Sequence, residues 1–457
     1  MNRPNVILIT IDTLRADRLG CYGHKGGLTP NLDRLAQNGI RFEQAITGGS
    51  WTQAAFPVLL TSTYASMYGG CLGPLSPQRP SPIEALANNG YTTGGFTTSP
   101  LLSTTYGYQR GFRHFVELVP QEKETSLRKI KGGQKLLRTP LTHYVSNLLG
   151  QQTRPARVYM NAAEVNHSVC QWLDTVQGPF FAWLHYMDVH WPYHTDDKLD
   201  HPKDIAQLWR DLSHLHEVNW QDASISPIQR EYYIELYEQA IRYTDAQIGK
   251  LLDHLANSPH AENTVVIVVS DHGEEFLERN HWGHVETNLY DEIVKVPLII
   301  SLPDQANGKV IQRQVRTLDI MPTVLDLCAC PLPNGVEGVS LTPLWSGAED
   351  QYNGTVAISE RWRNIGDISH IIAVRTNTFK YIWDINQPDQ PQLYNLEADP
   401  DETRNVYRQF PKKVQEFQAY VDEHLSQAEQ TTPDEAVQEP ELDDEVLDRL
   451  RDLGYVE

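Results

Sequence analysis

Three apolar runs that each lead into a carboxylate dominate the pattern of hydrophobic and polar positions along the chain. They are NVILITI before Asp12, PFFAWLHYM before Asp188 and TVVIVVS before Asp271. Apolar runs without regular polar alternation predict strands buried on both faces, as in a parallel sheet covered by helices. Because ligands bind outside the carboxyl ends of such strands, we expect the three carboxylates at one edge of the sheet.

Segments with helical apolar spacing lie between these runs. The phrase TPNLDRLAQNG predicts a helix that is capped by Thr29 and ends near Gly39, and residues 229–257 predict a long helix. Residues 82–100 fit a helix, a glycine turn and a strand. The alternation predicts an α/β fold in which a central, mostly parallel sheet lies between helices.

The pattern changes near residue 350. Short alternating strands such as TVAISER, IIAVRT and FKYIWD, followed by the helical stretch KKVQEFQAYVDEHLSQAEQ, predict a smaller C-terminal antiparallel sheet with a helix. We therefore divide the chain into an α/β domain at 1–348, an antiparallel subdomain at 349–428, and an acidic linker with a terminal helix at 429–457. Within the first domain, residues 101–155 carry a basic run without clear periodicity and are interpreted as an insertion or lid.

Composition and charge narrow the class of partner. The 457 residues carry a formal net charge of -21, from 59 acidic and 38 basic side chains. This balance argues against nucleic acid or an anionic membrane as the main partner and favours a small molecule, with a local positive pocket for an anion still compatible. The N-terminal apolar run is too short for a signal peptide or a membrane span, which predicts a cytoplasmic protein. Five cysteines without a framework spacing predict reduced thiols.

The adjacent Asp271 and His272, followed by Gly273, form the first candidate site. A carboxylate and an imidazole at a tight turn suit a divalent cation, because both offer ligand atoms from the end of one strand. Asp12 ends a different strand and would bring a further carboxylate to the same edge of the sheet. Taken alone, Asp12 is better explained as a helix N-cap, and only the second strand end favours a shared metal.

A hydroxyl group precedes the next helix in the stretch TGGSWTQAAFPVLLTSTY, residues 47–64. Ser50 and Thr52 lie at or just before the start of this helix, where free backbone amides favour an anion and lower the cost of deprotonating a hydroxyl. The alternative is that Ser50 or Thr52 is simply the helix cap. On local sequence alone the cap is the better explanation, since serine and threonine are preferred there.

Histidines gather after the strand ends. The ten-residue phrase HYMDVHWPYH contains four titratable groups, namely His185, Asp188, His190 and His194. A lone histidine is more often structural, but His190 lies just beyond the edge where the carboxylates are expected. His281 and His284 follow the Asp271-His272 pair, and their loop is a natural source of another metal ligand or of a proton donor.

Six phrases of the chain resemble, in the same order, those of the sulfatase branch of the alkaline-phosphatase-like superfamily. They are NVILITIDTLRADRLGCYG, TPNLDRLAQNGIRFEQA, SWTQAAFPVLLTSTY, DVHWPY, SDHGEEF with WGHVETNLYDE, and LYNLEADPDETRN. One phrase alone is weak evidence, whereas the ordered set spans nearly the whole chain. The resemblance implies a central mixed sheet with a smaller C-terminal antiparallel subdomain. It also implies a divalent metal held by Asp12, Asp271 and His272, within reach of the Thr52 position.

The chain departs from the usual sulfatase pattern where the nucleophile is expected. Sulfatases carry Cys or Ser in a C/S-x-P-x-R signature and convert it to formylglycine, but the corresponding run here is TQAAF, which begins at Thr52. Threonine cannot become formylglycine by that route. In addition, Thr13 replaces the second Asp of the usual opening, GGFTTSP replaces a Gly-Lys-Trp-His phrase, and His284 replaces the usual late Lys.

These departures point towards direct attack by a hydroxyl. Some members of the superfamily use Thr or Ser to attack phosphorus while a metal lowers the pKa of the hydroxyl, which implies that Thr52 is the nucleophile. By the same resemblance, His190 and His284 would contact the oxygens of the transferred group or protonate the leaving alcohol. Asp188, together with His284, is the alternative holder of a second metal. We expect one ion, because Pro192 stands where two-metal sites resemble Asp-x-x-x-His.

The predicted function is therefore a metal-dependent hydrolase of sulfate or phosphate esters, including phosphodiesters, with Ca, Mg, Mn or Zn as the ion. Two alternatives use the same residues. One is a transferase that passes a phospho group to an alcohol, and the other is a catalytically silent metal-binding protein. Retention of the metal ligands favours activity, because buried charges cost free energy unless they are paired.

Overall fold

The computed structural model describes residues 3–119, 159–193, 224–284, 289–303, 308–363 and 369–433, with scattered residues in 207–218 and 442–453. The part of the predicted lid from residue 120 onwards lies outside the described residues, as does most of the predicted linker and terminal helix after residue 433. The division of the chain into domains therefore stays a prediction.

A large mixed sheet forms the centre of the first domain. The strands of this part of the chain are β1 (Asn5–Ile11), β2 (Ile40–Ile46), β3 (Thr92–Thr97), β4 (His114–Glu117), β5 (Phe180–Tyr186), β6 (Thr264–Ser270), β7 (Glu275–Phe276), β8 (Trp282–Gly283), β9 (Lys295–Ser301), β10 (Lys309–Ile311) and β11 (Val315–Arg316). The sheet order is β10-β2-β9-β6-β1-β5-β3-β4, with β11 also paired to β2, while β7 and β8 form a separate ribbon. Strand β9 runs antiparallel to both of its neighbours, and the other described pairs of the sheet are parallel. The predicted fold class, a mostly parallel sheet between helices, is confirmed.

Both faces of the sheet are covered, and successive residues of its central strands therefore pack into two different cores. Along β1, Val6 and Leu8 pack on one side and Ile7 and Ile9 on the other. The helices of this domain are α1 (Pro30–Asn38), α2 (Thr52–Phe56), α3 (Pro82–Asn88), α4 (Ala162–Leu173), α5 (Pro227–Ala256), α6 (Asp291–Val294) and α7 (Ile320–Leu327). Helices α2, α3 and α7 contribute to the first core, and helices α1, α4 and α5 to the second. Double-sided burial explains why the strands show no polar alternation.

The second part of the chain forms an antiparallel sheet with a helix on it, as predicted. Its elements are β12 (Ala357–Arg363), β13 (Ser369–Arg375), β14 (Phe379–Asp384), β15 (Gln392–Asn395) and α9 (Pro411–Thr431), whereas the short helix α8 (Pro343–Ser346) precedes it and packs through Leu344 in the first core. The four strands pair in chain order. Ile372 and Val374 pack against Phe417 and Val421 of α9, whereas the opposite face of the sheet packs against the α6 region. The subdomain is thus held between its own helix and the first domain.

A buried ion cluster also joins the two parts. Lys380 Nζ lies 2.9 Å from both Asp291 Oδ1 and Glu402 Oε1, and Arg375 Nη2 lies 2.8 Å from Asp291 Oδ2. Lys380 and Glu402 are buried, and a buried charge requires such partners. We call Lys380, Asp291, Glu402 and Arg375 the ion cluster.

Three local features differ from the sequence-based expectation. The helix after Thr52 keeps α-helical geometry only to Phe56 and widens into a π-helical turn over Pro57–Thr61, because proline cannot donate the helical hydrogen bond. Residues 310–316, whose sequence predicts one edge strand, are split into β10 and β11. Strand β4 extends the sheet inside the segment interpreted as an insertion. Within the described residues, no helix combines the length and apolarity needed to cross a membrane.

Candidate metal and nucleophile site

Asp12 and Asp271 meet because the strands that precede them are neighbours. Strands β1 and β6 are parallel, with Ile11 opposite Ser270, so the next residue of each strand emerges at the same edge of the sheet. One ligand atom from each of Asp12, Asp271 and His272 lies within 4.8 Å of the others, and all three side chains are buried. The structure therefore brings together the three residues predicted to bind metal.

The atoms of the three ligand residues that face one another are available to bind a cation. Asp12 Oδ1, Asp271 Oδ2 and His272 Nε2 are buried and have no hydrogen-bond partner among the described residues. His272 Nε2 lies 3.6 Å from Asp12 Oδ1 and 3.4 Å from Asp271 Oδ2. His272 Nδ1 lies 2.9 Å from Gly273 O, a hydrogen bond that leaves the Nε2 lone pair for a ligand. Two buried carboxylates and an imidazole lone pair fit a divalent cation.

The pKa values in this group are set by burial and by the charged groups packed around it. Burial and the neighbouring Asp12 charge raise the pKa of Asp271 well above its usual range. Burial also opposes ionisation of Asp12, but the hydrogen bond from His185 and the charges of His190 and His272 outweigh it and hold its pKa below the usual range. Burial and the charge of His284 lower the pKa of His272 to about 3. A cation between the carboxylates would remove the repulsion that separates their pKa values.

The Thr52 hydroxyl lies at the margin of the same group. Thr52 is the first residue of α2, is fully buried, and donates a 3.5 Å hydrogen bond from Oγ1 to Asp12 Oδ2. Ser50 is also buried, but its backbone amide donates to Glu360 O at 3.2 Å and its hydroxyl has no hydrogen-bond partner among the described residues. Of these two hydroxyls, that of Thr52 therefore makes the hydrogen bond to a candidate metal ligand.

A Gly49→Ala substitution is expected to destabilise the protein by about 1–3 kcal/mol, the usual cost of overpacking a core. An added Cβ would lie 2.3 Å from the backbone carbon of Ala54 in α2. Urea unfolding measures the loss. The matched control is Gly90→Ala, where nothing lies within 4 Å of the added Cβ and the cost is backbone strain of about 1 kcal/mol. Equal midpoints for Gly49→Ala and wild type would contradict the packing.

His190 and His284 lie beside each other next to the metal ligands. Their ring centroids are 5.0 Å apart, and the His284 ring is 4.5 Å from that of His272. His190 Nδ1 bonds to Trp191 O at 2.7 Å, and His284 Nδ1 bonds to Glu274 Oε1 at 3.0 Å. Burial lowers the pKa of both rings, that of His284 to about 4. Both imidazoles are therefore held in place through Nδ1.

His185 and Glu274 join the site, although the sequence did not single them out as site residues. His185 Nε2 lies 3.3 Å from Asp12 Oδ2, and its Nδ1 lies 2.9 Å from Thr10 Oγ1. The register pairs Thr10 with His185 across β1 and β5, so a strand order would have revealed the contact. Glu274 orients His284 and was hidden within the polar phrase SDHGEEF.

Asp188 and Thr13 lie at the same edge of the sheet and make hydrogen bonds to neighbouring backbone. Asp188 Oδ1 accepts a 3.1 Å hydrogen bond from the backbone amide of Ala162, the first residue of α4, and Asp188 is not part of the three-residue ligand group. Thr13 Oγ1 donates to Val189 O at 2.8 Å, while its backbone amide donates to Asp271 Oδ1 at 3.3 Å. The Thr13 hydroxyl thus supports the neighbouring loop, and its backbone orients a metal ligand.

Comparisons with known proteins cover both parts of the chain. A family model described as "Sulfatase" matches residues 4–329, and one described as "N-sulphoglucosamine sulphohydrolase, C-terminal" matches residues 281–431. An arylsulfatase of Clostridium perfringens is 26% identical over 445 residues, which cover 88% of this chain and 90% of that protein. N-acetylglucosamine-6-O-sulfatase of Bacteroides thetaiotaomicron is 22% identical, over 95% of this chain and 88% of that protein. A solved phosphonate monoester hydrolase of Agrobacterium radiobacter shares the fold, with a TM-score of 0.70, 21% identity, and coverage of 93% of this chain and 96% of that one.

Proposed function

The chain belongs to the sulfatase family of ester hydrolases, and on that premise we propose that it hydrolyses phosphate or sulfate esters at a divalent metal, with Thr52 as the nucleophile. One observation carries the proposal. The Thr52 hydroxyl lies 3.5 Å from Asp12 Oδ2, at the margin of three buried groups with metal-ligand chemistry. The family supplies the class of reaction, and this chain supplies its own candidate nucleophile.

We expect one divalent ion to be held by Asp12, Asp271 and His272. Their facing atoms are buried and have no hydrogen-bond partner in the part of the chain that the structure describes. When bound, such an ion lowers the pKa of an adjacent hydroxyl and offsets negative charge on the ester oxygens. Two carboxylates and one imidazole are compatible with Ca, Mg, Mn or Zn. The backbone amides of Thr13 and His272 fix the Asp271 carboxylate by donating to its Oδ1.

Thr52 then forms a bond from Oγ1 to phosphorus or sulfur while the bond from that atom to the leaving alcohol breaks. The hydroxyl proton passes to Asp12 Oδ2, which accepts the hydrogen bond of Thr52, and the departing alkoxide gains a proton from an imidazole. Water next attacks the same phosphorus or sulfur and gives one proton to the imidazole, while the Thr52 oxygen leaves and takes its proton back from Asp12. The products are the free hydroxyl of Thr52 and the phosphate, sulfate or remaining acid part of the ester. Covalent modification of Thr52 is therefore an intermediate of the proposed reaction.

His190 and His284 are the imidazoles placed for these proton transfers. Burial lowers their pKa values in the protein alone, but an anionic ester beside them favours the protonated form. Their Nδ1 contacts, to Trp191 O and to Glu274 Oε1, hold the two rings in place beside the metal ligands. We assign them to oxygens of the transferred group and to the leaving alcohol.

The surroundings of Thr52 favour phosphate-type esters over sulfate esters. Where the sulfatase signature has Arg, the chain has Phe56, whose ring packs 5.0 Å from His185 and 5.7 Å from Trp183. Phe56 cannot steady the nucleophile as that Arg would, and threonine does not follow the formylglycine route by which sulfatases attack sulfate esters. The phosphonate monoester hydrolase that shares the fold shows that this architecture also accommodates a phosphorus ester.

A substrate panel tests the proposal. Protein loaded separately with Mg, Mn, Ca or Zn is assayed with nitrophenyl sulfate, nitrophenyl phosphate, a bis-nitrophenyl diester and a nitrophenyl phosphonate. We expect Thr52-dependent release of nitrophenol, faster from the phosphorus esters than from the sulfate. No turnover by any metal-loaded form, or turnover unchanged in Thr52→Ala, would reject the proposal. Product that forms only when an acceptor alcohol is added would instead identify a transferase.

His284→Gln is expected to lower kcat by about 10²–10⁴, the usual contribution of a positioned acid or base. Glutamine keeps a polar amide of similar size beside Glu274 but cannot act as an acid or base, so the fold and the metal site should persist. Steady-state kinetics and a melting curve check both points. His260→Gln is the matched control, because that half-buried imidazole contacts Leu173 O and precedes β6, at the opposite end of this strand from the site. An unchanged kcat in His284→Gln would remove His284 from the mechanism.

A further inference from the structure

Glu360 of β12 is paired with the backbone segment that leads into Thr52. Its amide donates to Gly48 O at 2.9 Å, and its carbonyl accepts from Ser50 N at 3.2 Å. The two hydrogen bonds form a short parallel bridge centred on Gly49. Next to it, Ser359 Oγ donates to Thr47 O at 2.6 Å. The antiparallel subdomain therefore grips residues 47–50, immediately before α2.

The gripped segment lies directly on the helix that carries the nucleophile. A Cβ on Gly49 would stand 2.3 Å from the backbone carbon of Ala54 and 2.5 Å from the nitrogen of Ala55. A Cβ on Gly48 would meet the Val58 side chain at 2.6 Å. Because this packing leaves no gap, a shift of residues 48–50 must shift α2 and with it Thr52.

The Glu360 carboxylate anchors the strand that makes this grip. Its Oε1 accepts from His370 Nε2 at 3.1 Å and from His424 Nε2 at 3.0 Å, and its Oε2 accepts from Ser66 N at 3.1 Å. All four residues are buried. Burial opposes ionisation of Glu360, but His424 and His370 outweigh it and hold its pKa well below the usual range. A buried carboxylate with three donors has one well-defined position.

We infer that Glu360, fixed by His370 and His424, is a positioning residue for Thr52 and makes the antiparallel subdomain part of the catalytic unit. The inference rests on the proposed function, since Thr52 is the group being positioned. Glu360 acts through the backbone of residues 48–50 and touches neither the ester nor the metal ligands. Helix α9 takes part because it supplies His424, which lies about 370 residues after Thr52 in the chain.

The competing explanation is that Glu360 only holds the two parts of the chain together. The ion cluster of Lys380, Asp291, Glu402 and Arg375 does that as well, and its recorded hydrogen bonds and ion pairs involve no residue of 47–56. Glu402→Gln is therefore the matched control for Glu360→Gln. Each variant replaces a buried carboxylate with an amide of the same size in the same subdomain.

The experiment compares the full-length wild type with both variants, by hydrogen exchange of peptides within 47–60 and by steady-state kinetics on the best substrate of the panel. In Glu360→Gln we expect exchange to accelerate at 47–56 and kcat to fall about ten- to hundred-fold, as for a catalytic group misplaced by a fraction of an ångström. KM and the affinity for the divalent ion should stay within about two-fold, because neither binding site is touched. Glu402→Gln should retain wild-type protection at 47–56 and wild-type kcat.

Wild-type exchange and kcat in a folded Glu360→Gln variant would overturn the inference, and so would equal deprotection of 47–56 in both variants. If Glu360→Gln does not fold, His424→Asn carries the same comparison, because its shorter amide does not reach Glu360 Oε1 from the Nε2 position, while the carboxylate stays. The exchange result stands without any activity. A wild type that lacks Thr52-dependent turnover would therefore refute the proposed function, while the link between Glu360 and residues 47–56 would still be tested.

Discussion

Thr52→Ala is expected to lower kcat for the best ester substrate by at least about 10³-fold, a typical loss when a nucleophile is removed. The hydroxyl attacks the phosphorus or sulfur atom, and alanine has nothing in its place. Binding of the divalent ion should remain, because Asp12, Asp271 and His272 are untouched. Steady-state assays measure kcat, and calorimetry measures binding of the divalent ion.

Ser50→Ala is the control for this result. Ser50 is a buried hydroxyl two residues earlier, and its contact with the neighbouring strand is made by its backbone amide. The variant should keep kcat within about three-fold of wild type, the spread typical of a neutral side-chain change at a site. If Ser50→Ala lost activity while Thr52→Ala kept it, the assignment of the nucleophile would be wrong.

Asp271→Asn is expected to abolish both turnover and the thermal stabilisation that a divalent ion confers. An ion at about 100 times its Kd stabilises a protein by about 2.7 kcal/mol, and that increment should vanish when one of two carboxylate ligands is lost. Without metal, the variant should be as stable as wild type or more so, since it removes a buried like charge beside Asp12. The asparagine oxygen can still accept from Thr13 N and His272 N.

Melting curves with and without the ion measure this effect. Asp245→Asn is the control, because Asp245 is also buried and also accepts backbone hydrogen bonds, from Asn31 and Leu32, but lies outside the ligand group. It should lose some stability yet keep the full increment from metal. A wild-type increment in Asp271→Asn would show that the ion binds elsewhere.

The strand ends were predictable because a parallel sheet leaves few choices. Apolar runs of seven residues identify β1 and β6, and each places its next residue at the same edge, so Asp12 and Asp271 converge once the strands are neighbours. The fold class follows from the same runs. Thr52 could be named only through the resemblance of a phrase, because on the local pattern a helix cap was the better explanation.

Contacts between distant segments were beyond the sequence. His185 reaches Asp12 only because β5 pairs with β1 in one particular register. The π-helical turn after Phe56 and the four-residue strand β4 were too short or too irregular for a periodic signal. The grip of Glu360 on residues 48–50 joins positions about 310 apart in the chain, and no local rule of spacing anticipates it.

Trapping the covalent intermediate tests the central claim most directly. Metal-loaded protein is mixed with excess of the best substrate, quenched in acid within one turnover and digested for mass spectrometry. We expect a peptide spanning residues 47–60 that carries one phosphoryl or sulfuryl group on Thr52, and no such group in Thr52→Ala. Turnover with an unmodified Thr52, or with the group on Ser50 or another residue, would contradict the assignment of Thr52 as the nucleophile.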